Sequence, residues 1–144
     1  MSAEHNKTVH RRYVEECWGD GDMDLQDQFI ADDVVDHNAF PGVPTGLEGR
    51  RVTLRMFRAA FDLNTTIDLL LSDGDYVIGH WTALFVHRGD FLGISATGKQ
   101  ATITGIDICR YRDGKIVEMW HQLGIMSLLE LLGVVPAPFP AANV

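Results

Sequence analysis

The hydrophobic pattern of this chain changes period once, near residue 64, and that change limits the folds open to it. Before it, Val9, Tyr13, Val14 and Cys17 recur at helical spacing with charged residues between them, which predicts a helix over about Glu4 to Trp18. Gly19-Asp20-Gly21-Asp22 breaks that helix, and Asp22 or Asp24 caps a short second one carrying Leu25, Phe29 and Ile30. A short strand, Val34 to Asn38, and a loop, Pro41-Gly42-Val43-Pro44-Thr45-Gly46, lead to a third helix over about Leu47 to Phe61. Its Leu54, Phe57 and Phe61 point inward, and Arg50, Arg51, Arg55 and Arg58 form a solvated outer face. After the change, Thr65 to Leu71, Tyr76 to His87, Lys99 to Arg112 and Lys115 to Gln122 read as strands. Turns at Ser72-Asp73-Gly74-Asp75 and Arg112-Asp113-Gly114-Lys115 join them, the second a strong Asp-Gly hairpin signal. A short helix, about Ile125 to Leu132, precedes a proline-rich tail from Pro136. Helices first and antiparallel strands after define an α+β arrangement, one domain over residues 1–144, in which helices covering one face of a curved sheet leave a concave pocket.

Composition excludes several functions. A formal net charge of -8 argues against nucleic acid as the main partner, because phosphate binding needs a basic surface. No apolar run approaches the roughly 20 residues that span a bilayer, and the polar Met1-Ser2-Ala3-Glu4-His5-Asn6-Lys7 start is neither signal peptide nor anchor, so the expected location is the cytoplasm. Two cysteines, Cys17 and Cys109, suggest no disulfide framework and no zinc site. Cys109 has no sequence-local base and reads as core packing rather than as a nucleophile.

Chemistry is suggested by acids and imidazoles lodged in apolar strands. Asp36 and His37 follow Val34-Val35, Asp107 sits between Ile106 and Ile108, and His121 ends Ile116-Val117-Glu118-Met119-Trp120-His121. A buried charge costs several kcal/mol or more unless it is paired, so such groups collect around cavities where they can work. Side chains alternate along a strand, so Val117, Met119 and His121 share one face while Glu118 and Trp120 share the other. Strict pairing from the Asp113-Gly114 turn sets Asp107 opposite Trp120 and His121 opposite Ile106, on different faces. A bulge or a longer loop would bring them together, and the sequence leaves both open. The plainer alternatives are a strand-end His121 bonded to a backbone carbonyl, an edge carboxylate at Asp107, and a loop-capping Asp36 beside a solvated His37. His87, beside Gly89, is either a ligand contact or a hairpin-end residue. His80 and Trp81 must face opposite ways, and Trp81 with Ala83 and Phe85 makes the better cavity wall. His5 and His10, on the first helix, read as solvated. Histidines 37, 87 and 121 with Asp36 or Asp107 lack the spacing of a metal set, so no metal is expected.

Five segments carry a resemblance to a known family: Asp33-Val34-Val35-Asp36-His37; Arg88-Gly89-Asp90-Phe91-Leu92-Gly93-Ile94-Ser95-Ala96-Thr97-Gly98-Lys99; Thr104-Gly105-Ile106-Asp107-Ile108; Asp113-Gly114-Lys115-Ile116-Val117-Glu118; and Leu128-Leu129-Glu130-Leu131-Leu132-Gly133. Through them the chain resembles, almost end to end, the SnoaL-like polyketide cyclases of the nuclear-transport-factor-like superfamily. The resemblance implies a cone-shaped α+β fold, a strongly bent antiparallel sheet wrapped around N-terminal helices with one deep pocket. It also implies an intramolecular aldol ring closure without metal or organic cofactor, in which an aspartate near the end of the last strand is the acid/base. That position falls at His121 here; a pocket histidine falls at Asp107, a pocket asparagine at or beside Asp36, and a family histidine at His87. Acid and imidazole are thus exchanged. On this reading His121 is base or proton shuttle, Asp107 its orienting partner or a second acid/base, and Asp36 holds a substrate hydroxyl or a water. His37, Trp81, Phe85, His87, Phe57, Phe61 and Met119 contact a small, largely apolar carbonyl substrate. The alternatives are water activation by the same pocket, giving hydrolysis, hydration or epoxide opening, and a binding domain without catalysis. Outward apolar residues such as Trp120 suggest a homodimer through the sheet face.

Overall fold

The computed structural model of the chain describes residues 2–135. The proline-rich tail expected from Pro136 lies outside the described residues. Helix α1 (Ala3–Arg12) starts at Ser2, whose side chain accepts the His5 N–H, and runs directly into a π-helical segment, Tyr13–Gly19. Helix α2 (Met23–Phe29) is capped by Asp22, whose carboxylate accepts the Asp24 and Leu25 N–H groups. Strand β1 (Ile30–Asp36) and helix α3 (Gly46–Ala60) follow, then β2 (Phe61–Asp73), β3 (Tyr76–His87), β4 (Gln100–Arg112), β5 (Lys115–Leu123) and α4 (Ile125–Leu131). Phe61, expected to end the third helix, instead opens β2 opposite His87, because Phe61, Leu63 and Ile67 alternate with exposed polar residues in strand rather than helical period.

The five strands form one curved open sheet in the order β1-β5-β4-β3-β2. Four of them make antiparallel pairs; β1 departs from the expected pattern by joining the edge of β5 in parallel, with Val35 beside Glu118 and Asp36 beside Met119. The β4–β5 hairpin begins as the Asp-Gly turn dictates, with Arg112 opposite Lys115 and Tyr111 opposite Ile116. The next pair is Arg110 with Glu118, so Val117 is an extra residue on β5. That bulge shifts every later pair by one residue and sets Asp107 directly opposite His121. The two therefore share a face, which resolves the conflict left by strict alternation.

Two apolar clusters fill the space between helices and sheet. One joins Val9, Tyr13, Cys17, Phe29, Leu54, Val77, Cys109 and Met119; the other joins Phe57, Phe61, Phe85, Phe91, Ile103 and Leu128. Trp18 and Trp81 pack against both, and the cavity opens where the clusters meet. Among the described residues no helix is long and apolar enough to cross a membrane.

Candidate active site

A cavity of about 550 Å³ opens between the sheet, α3 and the π-helical segment. Trp18, Phe40, Phe57, Trp81, Phe85 and Leu123 make most of its wall apolar, and Asp107, His121, Arg50 and Tyr13 supply a polar end. Asp107 and His121 reach it as cross-strand neighbours on β4 and β5.

Behind His121 lies a buried charge network. The His121 Nε2–H donates to Asp36 Oδ1 at 2.8 Å, and Arg50 Nη1 donates to Asp36 Oδ2 at 2.9 Å. The Asn38 backbone N–H adds a third bond to Asp36 Oδ1 at 3.0 Å. Asn38 also accepts the His121 backbone N–H on its Oδ1 at 2.8 Å, so the loop after β1 clasps the end of β5. The second Arg50 nitrogen donates to the buried Tyr13 hydroxyl at 3.1 Å, and the guanidinium lies 5.7 Å from the Trp18 ring centroid. Burial pushes the Asp36 carboxyl up, but the His121 bond and the Arg50 charge outweigh it and hold the group down at about 2. Asp36 therefore stays ionised, and the Nε2–H bond leaves His121 Nδ1 as the nitrogen free to accept a proton.

Asp107 has the opposite environment. It is buried at the cavity wall, and desolvation raises its carboxyl above the usual range despite the influence of nearby His121 and the Arg50 charge. One oxygen, Oδ1, accepts the Trp81 indole N–H at 3.3 Å. That approach depends on Gly105, the residue paired with Trp81: a Cβ there would lie 2.1 Å from the indole Cζ2.

Other expected residues separate clearly. Met119, Trp81, Phe85, Phe57 and His37 line the cavity. His37 does so at the rim, stacked on Trp120 at 4.6 Å and bonded to Glu118 Oε2 at 2.7 Å. His87 and Phe61 do not line it. Both are buried in the second apolar cluster, their rings 5.2 Å apart, and His87 Nδ1 accepts the Thr97 backbone N–H, so the histidine ties the β3–β4 connection to the core. Asp36 stands behind His121 rather than at the cavity surface. Cys109 is fully buried and its thiol is pushed well up by desolvation.

Two residues reverse the sequence reading. Arg50, expected on a solvated face, is buried at the centre of the site, whereas Arg51 and Arg55 do pair with surface carboxylates. The signal was in the spacing: Leu47, Arg50, Leu54 and Phe57 form one stripe of α3, and all four are buried. His10, expected in solvent, is fully buried for the same reason, on a stripe with Asn6, Tyr13 and Cys17. Tyr13 was legible only as a core position and Trp18 only as the end of the first helix; the π-helical turn brings both to the cavity.

The model of the SnoaL-like polyketide cyclases matches residues 8–132, nearly all of the chain described above. The chain belongs to the SnoaL-like polyketide cyclase family. No curated protein matches this SnoaL-like chain. Among solved structures it is similar to IdmH of Streptomyces antibioticus, proposed to be a polyketide cyclase, with 30% identity over 91% of this chain and 99% of that one and a TM-score of 0.74. It is similar to TsrD of Streptomyces laurentii, with 25% identity over 94% of this chain and 99% of that one and a TM-score of 0.83. AclR of Streptomyces galilaeus, proposed to be a hydroxylase, shares the SnoaL-like fold at 23% identity, over 99% of this chain and 88% of that one, with a TM-score of 0.84.

Proposed function

We propose that this SnoaL-like protein is an acid/base enzyme that makes or breaks a carbon–carbon bond by aldol chemistry on a small or medium, largely apolar carbonyl compound of polyketide type. The observation that carries this reading is the pairing of Asp107 with His121 across one cavity wall, in environments that differ in kind. Aldol closure needs a base beside an acidic C–H and an acid beside the carbonyl that becomes an alkoxide. His121 Nδ1 takes the proton from the carbon between two carbonyls. The carbanion attacks the second carbonyl carbon, the C–C bond forms, and the oxygen takes the proton of Asp107. The proton left on His121 then returns to Asp107 and resets the pair. Asp36 fixes the His121 tautomer and offsets the imidazolium charge, and Arg50 keeps Asp36 ionised. None of these steps calls on a metal or an organic cofactor.

The cavity supports the substrate class, since its wall is mostly aromatic and aliphatic and its polar groups gather at one end. Free, buried cysteines fit the reducing cytoplasm. Val35, Leu71, Tyr76 and Ile106 leave apolar surface exposed on the sheet, which supports a homodimer through that face.

The test is incubation with a panel of linear poly-β-carbonyl esters, followed by mass spectrometry of products in ¹⁸O-labelled water. Ring closure without label, lost in His121→Asn, is the expected result. Label in the product would move the activity to hydrolysis or hydration. Binding without turnover across the panel would favour a non-catalytic ligand-binding domain.

A further inference from the structure

His10 has no part in the scheme above and does not line the cavity, yet it is one of the most completely buried polar side chains in the fold. It enters from α1 over Gly79 of β3, where a Cβ would stand 2.8 Å from His10 Nε2 and 3.0 Å from its Cδ2. Gly79 is the β3 partner of Asp107, so the missing side chain leaves room for the imidazole on the same rung as Asp107 and His121. His10 Nδ1 lies 2.9 Å from the buried Tyr111 hydroxyl. Its Nε2 has no hydrogen-bond partner and faces Asp107 Oδ2 at 3.9 Å. Asp107 is thus flanked by two ring nitrogens: Trp81 Nε1 on Oδ1 and His10 Nε2 toward Oδ2.

We infer that His10, oriented by Tyr111, is a positioning residue for Asp107: the tyrosine O–H donates to Nδ1, the imidazole proton is thereby fixed on Nε2, and that N–H faces the carboxylate and steadies its ionised form. Two facts support this assignment of protons. Burial holds His10 down at about 4, so at neutral pH the ring carries one proton and has one N–H to place. Burial pushes Tyr111 well up, so its hydroxyl keeps its hydrogen. At 3.9 Å the N–H acts through its dipole rather than through a hydrogen bond, and low-dielectric surroundings make such a dipole count. The other groups around Asp107 are Arg50 and His121, which favour its charge, and Asp36, Tyr13, Cys109 and Tyr111, which oppose it or are kept neutral by it. His10 is the donor on the side away from the cavity, where substrate does not displace it.

The consequence for catalysis rests on the proposed acid role of Asp107, but the coupling is readable without substrate. The experiment is an NMR pH titration of the aspartate side-chain carboxyl carbons in the full chain, with Asp107→Asn identifying the Asp107 signal. Glutamine sets its amide near the position of an imidazole Nε2, and asparagine near that of Nδ1. His10→Asn, which removes the Nε2–H, should raise the Asp107 midpoint by about one pH unit. His10→Gln, which keeps a donor there, should restore most of it. Tyr111→Phe, which frees the tautomer without emptying the site, should give a smaller upward shift and serves if His10→Asn does not fold. Equal shifts in His10→Asn and His10→Gln, or an unmoved midpoint in Tyr111→Phe, would overturn the inference. If the midpoints move as expected while Asp107→Asn still closes rings at the parent rate, the coupling stands and the acid role of Asp107 falls.

Discussion

Replacing Arg50 by methionine tests the electrostatic centre of the site without any substrate. Methionine keeps the apolar stem within the α3 stripe and deletes the charge. Both partners of the pair are nearly shielded, with side-chain exposures of 5% for Arg50 and 9% for Asp36. Removing one partner of a buried ion pair costs about 3–5 kcal/mol, because the other charge is stranded. Asp36 would keep its bonds from His121 and Asn38, which places this contribution near the low end. The buried Tyr13 hydroxyl would lose its Arg50 donor, adding about 1 kcal/mol. The expected loss is therefore about 4 kcal/mol, or roughly 10 °C in Tm for a chain of this size. Urea unfolding of Arg50→Met, Asp36→Asn and the double variant at pH 7 measures it. Because each single change strands the other member of the pair and the double change strands neither, the double variant should be about 2 kcal/mol or more better than the sum of the singles. The acid limb gives a second readout. Asp36 has its carboxyl depressed from 3.8 to about 2, so its stabilisation is complete above the unfolded value and is lost as pH falls from there through about 2. Arg50→Met should flatten that loss. A cost under about 1 kcal/mol with additive singles would refute the reasoning and reduce Arg50 to a surface-like pair.

Three further outcomes are expected. His10 is depressed from 6.5 to about 4, so protonation favours the unfolded chain; stability is full above pH 6.5 and falls by up to about 3 kcal/mol as pH drops through 4. Urea midpoints from pH 8 to 4 should show that slope in the parent and lose it in His10→Gln. Asp107 has the opposite sign: its raised carboxyl makes ionisation unfavourable in the fold as pH rises above about 4, so Asp107→Asn should unfold at a higher temperature than the parent at pH 7 while losing turnover. A lower Tm would show that the carboxylate is better satisfied than its surroundings indicate. Gly105→Ala should cost about 1–3 kcal/mol and red-shift tryptophan emission, since the new methyl collides with the Trp81 ring; unchanged emission and stability would show that the ring is not held there.

The strand and helix order was readable because period and turn chemistry agree along most of the chain. Tyr76–His87 and the Asp113-Gly114 turn fall where alternation and the Asp-Gly pair put them. The parallel edge pairing of β1 was not readable, since a seven-residue strand reading Ile-Ala-Asp-Asp-Val-Val-Asp carries no mark of its partner's direction. That one pairing carries Asp36 and Asn38 to the end of β5, so the network behind His121 was hidden with it. Arg50 and His10 were hidden for a different reason. Each lies on an apolar helical stripe, but an ionisable residue type outweighs its position when partners are unknown. Their partners, Asp36 and Tyr111, are 14 and 101 residues away along the chain.

The two carboxylates of this site show how neighbouring surroundings shift the same group in opposite directions. Asp36 accepts three N–H bonds, two of them from charged or chargeable side chains, and those bonds outweigh its burial. Asp107 accepts one indole N–H and faces a more distant imidazole, so burial wins. Between them stands His121, bonded to the first and paired across the ladder with the second. The arrangement hangs on the extra residue at Val117. Without it the ladder would continue in the register of the turn, Trp120 would face Asp107, and the imidazole would leave the cavity for the outer face. A bulge so close to a tight hairpin turn costs one irregular pair, Arg110 and Tyr111 against Ile116 to Glu118, and in return it puts His121 and Asp107 on the same wall.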